Sequence, residues 1–412
     1  MRKRRLREFL HRAVVKARSD GVGRTLARAP SFVGAVALNG AVRLATDDDD
    51  FLDARDIAGR DDTAVVATFD DAESLTFAPP RGRADNPFFA EASVDLRFDA
   101  SFVATVDGVT IAGGDAVKLT DDGRVLVEDS KQFRGIDRFY TSMYREVRDE
   151  GFVASLPVAS KVATGRTWRP PRRSFDTVFP LVGFPLSFYH WVVEFLPRLR
   201  ALARYTERTG DSPTVLVPTD SAGYVADTLE LLGCPVAEWT PWEPGWTRVE
   251  TLVYPSHVRN GDGVPHPASC RWLRDRVHEA TGEPDGETPA RIYVDRTDAR
   301  ERRVANRREL DELLAAYDFE PVVLSERSIE RQVELFRNAD CVVGPHGAGL
   351  VHLVFGDDLA VVELFGDELR DHYYALSTIA GHEYYCVQGT DGDGVDISVD
   401  IDELRAVLES IG

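Results

Sequence analysis

The chain is poor in lysine, methionine and cysteine, and it has no long apolar run. Of its 49 basic residues only Lys3, Lys16, Lys118, Lys131 and Lys161 are lysines. The four cysteines, Cys234, Cys270, Cys341 and Cys386, stand far apart, with no CxxC pair and no cysteine–histidine spacing of the kind zinc requires. That excludes a disulfide scaffold and a zinc finger, and points to reduced, mostly buried thiols of an intracellular protein. The most apolar stretch, Ser31–Ala45, contains Asn39 and Arg43 and falls short of the roughly 18 residues of a membrane span. The N-terminus lacks the apolar core and cleavage site of a secretory signal, so a cytoplasmic location is expected, at most at the cytoplasmic face of the membrane. Positive charge is outweighed, with 69 acidic residues and a net charge of −20. A general nucleic-acid binder, which offers phosphate a basic surface, is excluded on that ground.

What is present is a chain of 412 residues, 43% apolar, enough for the cores of two or three domains. An acidic surface with hardly any lysine suits a soluble protein in a high-salt, halophilic cytosol, where ions screen self-repulsion. Residues 1–30 run against this trend. They hold ten basic residues against Glu8 and Asp20, a net +8, which leaves −28 for the other 382. Leu6, Phe9, Leu10, Ala13, Val14 and Ala17 recur there at helical spacing. A basic amphipathic helix of this kind can lie on an anionic membrane, so peripheral contact through residues 1–30 is expected, with a solvated arm as the alternative.

The remainder divides by period. Residues 1–50 comprise the basic arm and an acidic linker ending at Asp47–Asp50. Residues 51–174 read as β-rich: Thr63–Phe69, Ser93–Phe98, Phe102–Val106, Thr110–Ile111 and Arg124–Val127 are strand-like, with turns at Asp107-Gly108 and Asp122-Gly123. From 175 to 285 strands alternate with helices. Ser187 caps a helix expected to reach Glu207 with a kink at Pro197, and strands are expected at Thr214–Val217, Val236–Trp239 and Thr251–Tyr254. The polar segment Gly282–Ala290 is the best linker candidate. Residues 286–412 alternate again, through strands Arg291–Val294, Pro321–Leu324, Cys341–Val343 and Ala360–Leu364, a capping box at Asn306 and Glu309, a cap at Ser328, and a closing helix Asp400–Ile411. The fold class is α/β with an N-terminal β-rich portion. Two α/β domains joined in this way bind ligand in a cleft at the carboxyl ends of their strands.

Three segments carry chemistry. In Gly344-Pro345-His346-Gly347-Ala348-Gly349, between a strand and a helix, glycines admit a close backbone approach and helix-start amides favour an anion. The spacing is neither the dinucleotide fingerprint nor the lysine-bearing phosphate loop. The loop Arg296–Arg303 carries Arg296, Arg300 and Arg303, whose forked guanidiniums suit diphosphate oxygens, with an ion-pair network through Asp298 or Glu301 as the alternative. Glu363, at the end of its strand, is placed to accept from a ribose diol, with a plain surface glutamate as the alternative. In the first α/β segment His190 and Glu194 lie four apart on one helix face. A histidine in a first turn meets the positive end of the helix dipole, which favours the neutral imidazole of a general base. Asp-x-Asp patterns at Asp391–Asp393 and Asp400–Asp402 are expected by chance in so acidic a chain, and no metal site is expected.

The stretches Tyr189-His190-Trp191 through Glu194-Phe195-Leu196-Pro197-Arg198-Leu199, Arg291–Asn306 and Val343–Phe355, with Val362-Glu363-Leu364, resemble glycosyltransferase family 61 and occur in that family's order. The resemblance spans about Phe175–Gln388, and His352 departs from it where members often carry Asn or Thr. It implies a GT-B fold, two Rossmann-like domains facing a cleft, with 175–285 on the acceptor side and 286–412 holding a nucleotide sugar. It also implies inverting transfer to an acceptor hydroxyl of a glycan, lipid or protein, commonly without a metal or other cofactor. Joined to the residue reading, His190 is the expected base, Glu194 its orienting carboxylate and Asp298 the reserve base. Arg296, Arg300, Arg303, His346, Gly347, Ala348, Gly349 and Glu363 are expected to hold the donor. A nucleotide-sugar-binding scaffold protein of the same pathway is the alternative.

Overall fold

The computed structural model describes residues 29–77, 79–81, 89, 95–127, 131, 135–167, 169–219, 223–256, 258–260, 262–283, 288–392 and 396–412. Nearly all of the basic arm, positions 284–287 of the linker candidate and Asp393 lie outside the described residues. The chain forms two compact units. One comprises the described residues up to Asp62 with Val106–Thr177 and Glu243–Leu252, the other Thr63–Thr105, Val178–Trp242 and Val253–Gly412.

In the first unit Phe51–Leu52 runs parallel to Val125–Leu126, which pairs antiparallel with Val117–Leu119, and that strand pairs with Thr110–Ala112. The helices Ala29–Ala45, Gly135–Asp149 and Phe152–Thr164 contribute to its core, where Leu38 and Val42 meet Phe51, Phe139, Met143 and Val158. Among the described residues the strand pattern of 51–174 is therefore interrupted by these last two helices and by a short one, Ala54–Ile57. Phe139, Tyr140, Met143 and Val147 are spaced for one helical face and are all buried. The Asp122-Gly123 turn is present, closed by Gly123 N–H to the Thr120 carbonyl. Asp107-Gly108 makes no hairpin. Strand Phe102–Ala112 runs through it, and Gly108 takes a φ of +69° that a glycine admits without strain.

The second unit is built on a five-stranded parallel sheet in the order Glu320–Val323, Arg291–Asp295, Cys341–Pro345, Ala360–Phe365, Glu383–Gln388. Every residue of the two strands Cys341–Pro345 and Ala360–Phe365 is buried, the signature of a sheet covered on both faces. Because all five strands run the same way, the loops after Asp295, Pro345 and Phe365 leave the same sheet edge. Helix Ile401–Ile411 closes the unit, its first turn capped by the Asp400 carboxylate. Ser328 caps Ile329–Asn338 through the Arg331 amide. Asn306 does not form its expected capping box, because its side chain pairs instead with both backbone groups of Val399.

Elsewhere in this unit Val178–Pro180 pairs parallel with Thr214–Leu216, and Thr240–Pro241 adds to the same strand. Val236–Glu238 is a 3-10 turn rather than a strand, so the edge strand begins at Thr240. The single helix expected from Ser187 to Glu207 is divided in three. A turn at Phe188–His190 passes into a π-helical stretch, Trp191–Phe195, and the α-helix resumes at Arg198–Thr209. The wide turn is set by Leu196 N–H bonding to the Trp191 carbonyl, while Pro197 has no N–H to continue the ladder.

Candidate functional site

His190 sits at the start of the π-helical stretch, with its Nδ1 against Glu194 Oε1. The same oxygen takes an Nη of Arg259, a residue 65 positions away in sequence. Glu194 is 1% exposed and Arg259 6%, so this is a buried ion pair, and His190 is the member of the trio that keeps access to solvent. Arg259 is anchored by Nε donating to the Gly263 carbonyl at 2.8 Å. Arg198 Nε donates to the Glu194 backbone carbonyl at 3.0 Å, and its guanidinium lies over the Phe195 ring. With Glu194 ionised beside Arg259, the carboxylate accepts from Nδ1–H of His190. That tautomer leaves Nε2 with its lone pair.

On the sheet edge the glycine loop and the arginine loop meet. A Cβ added at Gly347 would fall on the Arg296 guanidinium, one added at Gly344 would lie 3.1 Å from Val294, and one at Gly349 2.8 Å from Leu324. The glycines thus let Arg296 and strand Arg291–Asp295 press directly onto the loop backbone. Arg296 Nη2 reaches the Glu301 carbonyl at 3.2 Å, while its Nε is buried with no partner. Burial first, and then the charge of Arg302, pull the Arg296 pKa below its ordinary value. Arg302 holds a φ of +60°, uncommon outside glycine. The charges of Arg296 and Arg302 act on one another and are only partly offset by Asp298, which leaves a local excess of positive charge that an anion would neutralise.

Above this loop His346 Nδ1 lies 2.5 Å from Glu363 Oε1, and the other oxygen of Glu363 accepts from the Tyr384 hydroxyl at 2.6 Å. Glu363 is wholly buried, so in this structure it offers a ribose no surface. It orients His346 instead. Rings connect the two histidine–glutamate pairs. His190 meets the edge of Tyr189 at 5.3 Å, Tyr189 packs on Tyr373 and His372, and both of these pack on His346. The charges of Arg296 and Arg302 act on Tyr373, whose hydroxyl burial drives well above its ordinary pKa. His190 and the glycine loop therefore belong to one continuous cluster.

A cavity of about 430 Å³ opens beside it, lined by Phe188, Tyr224, Asp227, Arg296, Asp298, Ser325, Arg327, Gln332, Gly349 and His352 among others. The segment after the loop, Ala348–Phe355, is a 3-10 helix rather than an α-helix, and from Leu350 onward all its side chains are buried. His352 Nδ1 lies 2.9 Å from the Gly349 carbonyl, its ring stacks on Phe336, and burial lowers its pKa to about 4.

Of the residues singled out in the sequence, His190, Glu194, Arg296, His346, Gly347, Ala348, Gly349 and Glu363 are brought to this region. Asp298 is exposed on the cavity rim. Arg303 is turned away, its guanidinium held by Asp396 at 2.8 Å, and Arg300 is exposed. Arg302, half-buried, is the arginine of this loop whose charge acts on Arg296 and Tyr373. Arg259, Tyr373 and Tyr384 were not legible, since no local pattern marks them. A buried carboxylate such as Glu194 does demand a cation, but nothing in the sequence says which of 49 supplies it. Among the described residues no group of three or more His, Cys, Asp or Glu side chains is gathered as a metal site. No curated protein matches the chain. Residues 188–362 match the family model described as Glycosyltransferase 61, a span that takes in the His190–Glu194 pair, the arginine loop and the whole glycine loop with His346, and stops one residue short of Glu363. Over that span the chain is similar to glycosyltransferase family 61.

Proposed function

We propose that this chain is an inverting, GT-B-type glycosyltransferase that moves a hexose or pentose from a nucleotide sugar to a hydroxyl of a glycan, lipid-linked or protein acceptor. Its place would be in surface-polysaccharide or glycoconjugate synthesis on the cytoplasmic side of the membrane, in a salt-rich cytosol. The observation that carries the reading is Arg296, half-buried beside Arg302, with one N–H orphaned and its guanidinium pressed on Gly347. A buried cation with an unmade hydrogen bond is costly unless a ligand completes it, and a diphosphate fits that demand.

In the mechanism, Arg259 keeps Glu194 ionised, Glu194 orients His190 through Nδ1, and Nε2 takes the proton of the acceptor hydroxyl. The acceptor oxygen then attacks the anomeric carbon as the bond from that carbon to the diphosphate oxygen breaks, and the bonding pair leaves with the nucleoside diphosphate. Arg296, Arg302 and the amides around Gly347–Gly349 stabilise the charge that develops there, so no metal is assigned to the step. Asp298, on the cavity rim, is the reserve base.

The test is a panel of nucleotide sugars with release of nucleoside diphosphate as readout. Wild type should release it, and His190→Ala should lower kcat by about 10²–10⁴-fold while donor binding persists. Retained turnover in His190→Ala with loss in Asp298→Ala would move the base to Asp298. Tight binding of a nucleotide sugar without release from any acceptor would establish the scaffold instead.

A further inference from the structure

Among the described residues six large apolar side chains are exposed, and five of them lie on two neighbouring helices of the first unit: Val33, Val36 and Leu44 on Ala29–Ala45, Phe152 and Val153 on Phe152–Thr164. The helices are close, since a Cβ on Gly34 would stand 3.3 Å from the Phe152 ring. Ala35, Leu38 and Val42 face the core, so Ala29–Ala45 is apolar on its inner side as usual. Its outer stripe, Val33, Val36, Ala37, Ala41 and Leu44, is apolar too, and Leu44 is 91% exposed. A helix apolar on its outer as well as its inner side, with Asn39 and Arg43 polar at its edges, is unusual at a water-facing surface.

Of the two charges on these helices one borders the stripe and is tied to a neighbouring helix, and the other is buried. Arg43 lies over the Tyr140 ring at 3.7 Å and reaches Asp137 at 3.6 Å, on helix Gly135–Asp149. Lys161, the one charge of Phe152–Thr164, is buried and bonded to the Asp121 carbonyl. In a protein where 29% of residues are charged, an outer stripe on two helices with Arg43 as its one exposed charge, at the border, is a gap. At 17 residues the first helix is too short to span a bilayer, and among the described residues no helix is long and apolar enough to cross one. The chain that leads into it, residues 1–28, carries +8 against −28 for the rest.

We infer that this stripe, Val33, Val36 and Leu44 with Phe152 and Val153, docks on an anionic lipid bilayer at the headgroup–acyl boundary. Apolar side chains supply depth, and the positive charge of residues 1–28 supplies attraction to anionic headgroups. A second copy docking through the same stripe would bring two +8 segments together, which their repulsion opposes. The inference stands apart from the transferase reading, because the stripe lies outside the matched span and its readout is not activity.

The experiment is flotation of the full chain with phosphatidylcholine vesicles, with and without 30% phosphatidylglycerol. Wild type should float with the anionic vesicles only. The triple variant Val36→Glu, Leu44→Glu, Val153→Glu should bind at least tenfold more weakly. Val65→Glu, at the sixth exposed apolar position, should bind as wild type. Where the triple variant fails to fold, Val153→Trp serves in its place: its added fluorescence should be quenched by lipids brominated in the upper acyl chain. Undiminished binding of the folded triple variant, absence of quenching, or no binding to anionic vesicles would each overturn the inference. So would a wild-type dimer by light scattering that the triple variant converts to monomer, since the occupant would then be a second copy.

Discussion

Arg259 and Glu194 are nearly inaccessible to water and form an ion pair. A buried pair of this kind contributes little net stability, but removing one partner strands the other. Arg259→Met should therefore destabilise the fold by about 3–5 kcal/mol in urea unfolding. Adding Glu194→Gln should recover part of that loss, because the amide carries no charge to desolvate. If the double variant is no more stable than Arg259→Met alone, Glu194 is not ionised in the folded protein, and the orientation of His190 by a carboxylate goes with it. A second prediction concerns His352. Its folded-state pKa of about 4 lies below the ordinary 6.5 because burial disfavours the imidazolium. As pH falls the unfolded chain takes up the proton first, so stability is lost between about pH 6.5 and pH 4. One such group removes about 2 kcal/mol between pH 7 and pH 5. His266 and His382, depressed by burial as well, act in the same direction. His352→Phe should shrink the acid-induced loss by about that amount. An unchanged loss would mean that the ring is protonated in the fold.

At the scale of elements, the glycine loop is a contact between two backbones and one guanidinium. Gly347 has a φ of −179°, which any residue adopts, so a side chain there is excluded only by Arg296. Gly347→Ala should leave thermal stability within about 1 kcal/mol of wild type, yet displace Arg296 and raise the donor KM about tenfold. Arg296→Ala should cost more, and the double variant no more than Arg296→Ala alone, since the alanine methyl harms only through that side chain. Additive losses would place Gly347 in direct contact with the donor. This loop was readable in sequence because its determinants are local: three glycines after a buried strand, and His190 four residues before Glu194. Strands Arg291–Asp295, Cys341–Pro345 and Ala360–Phe365 were readable for the same reason, as short β-branched runs. Ala348–Phe355 was not, because it is apolar without a period, and an α-helix cannot be told from a 3-10 helix when every side is buried. The π-helical turn at Trp191–Phe195 was hidden as well, since it depends on where Leu196 bonds rather than on side-chain spacing. Arg259, Tyr373 and Tyr384 reach the site only by tertiary packing, and Arg303 is drawn away by Asp396, 93 residues on.

At the scale of the whole molecule two kinds of charge interaction compete. Arg–carboxylate pairs are spread over the surface, among them Arg204–Glu207, Arg271–Glu73 and Arg276–Glu279, and salt weakens them. Such exposed pairs contribute about 0–1 kcal/mol each, and many contribute nothing measurable. Against them stands a net −20, or −28 without the basic arm, whose repulsion acts over the whole surface and is also screened. The Debye length shrinks from about 30 Å at 0.01 M to about 3 Å at 1 M. Over that range the long-range repulsion disappears entirely, whereas contacts at 3 Å are only partly weakened. Stability in NaCl should consequently rise from 0.01 M to 1 M, by several degrees in thermal unfolding, with most of the gain in the first tenth molar, where the screening length crosses the dimensions of the molecule. Attachment to anionic vesicles should move the opposite way over the same titration, because there salt screens an attraction. If the melting temperature falls with salt, the ion pairs outweigh the net charge. If vesicle binding is indifferent to salt while the stripe variant abolishes it, the apolar helices carry the attachment alone and the basic segment has another role.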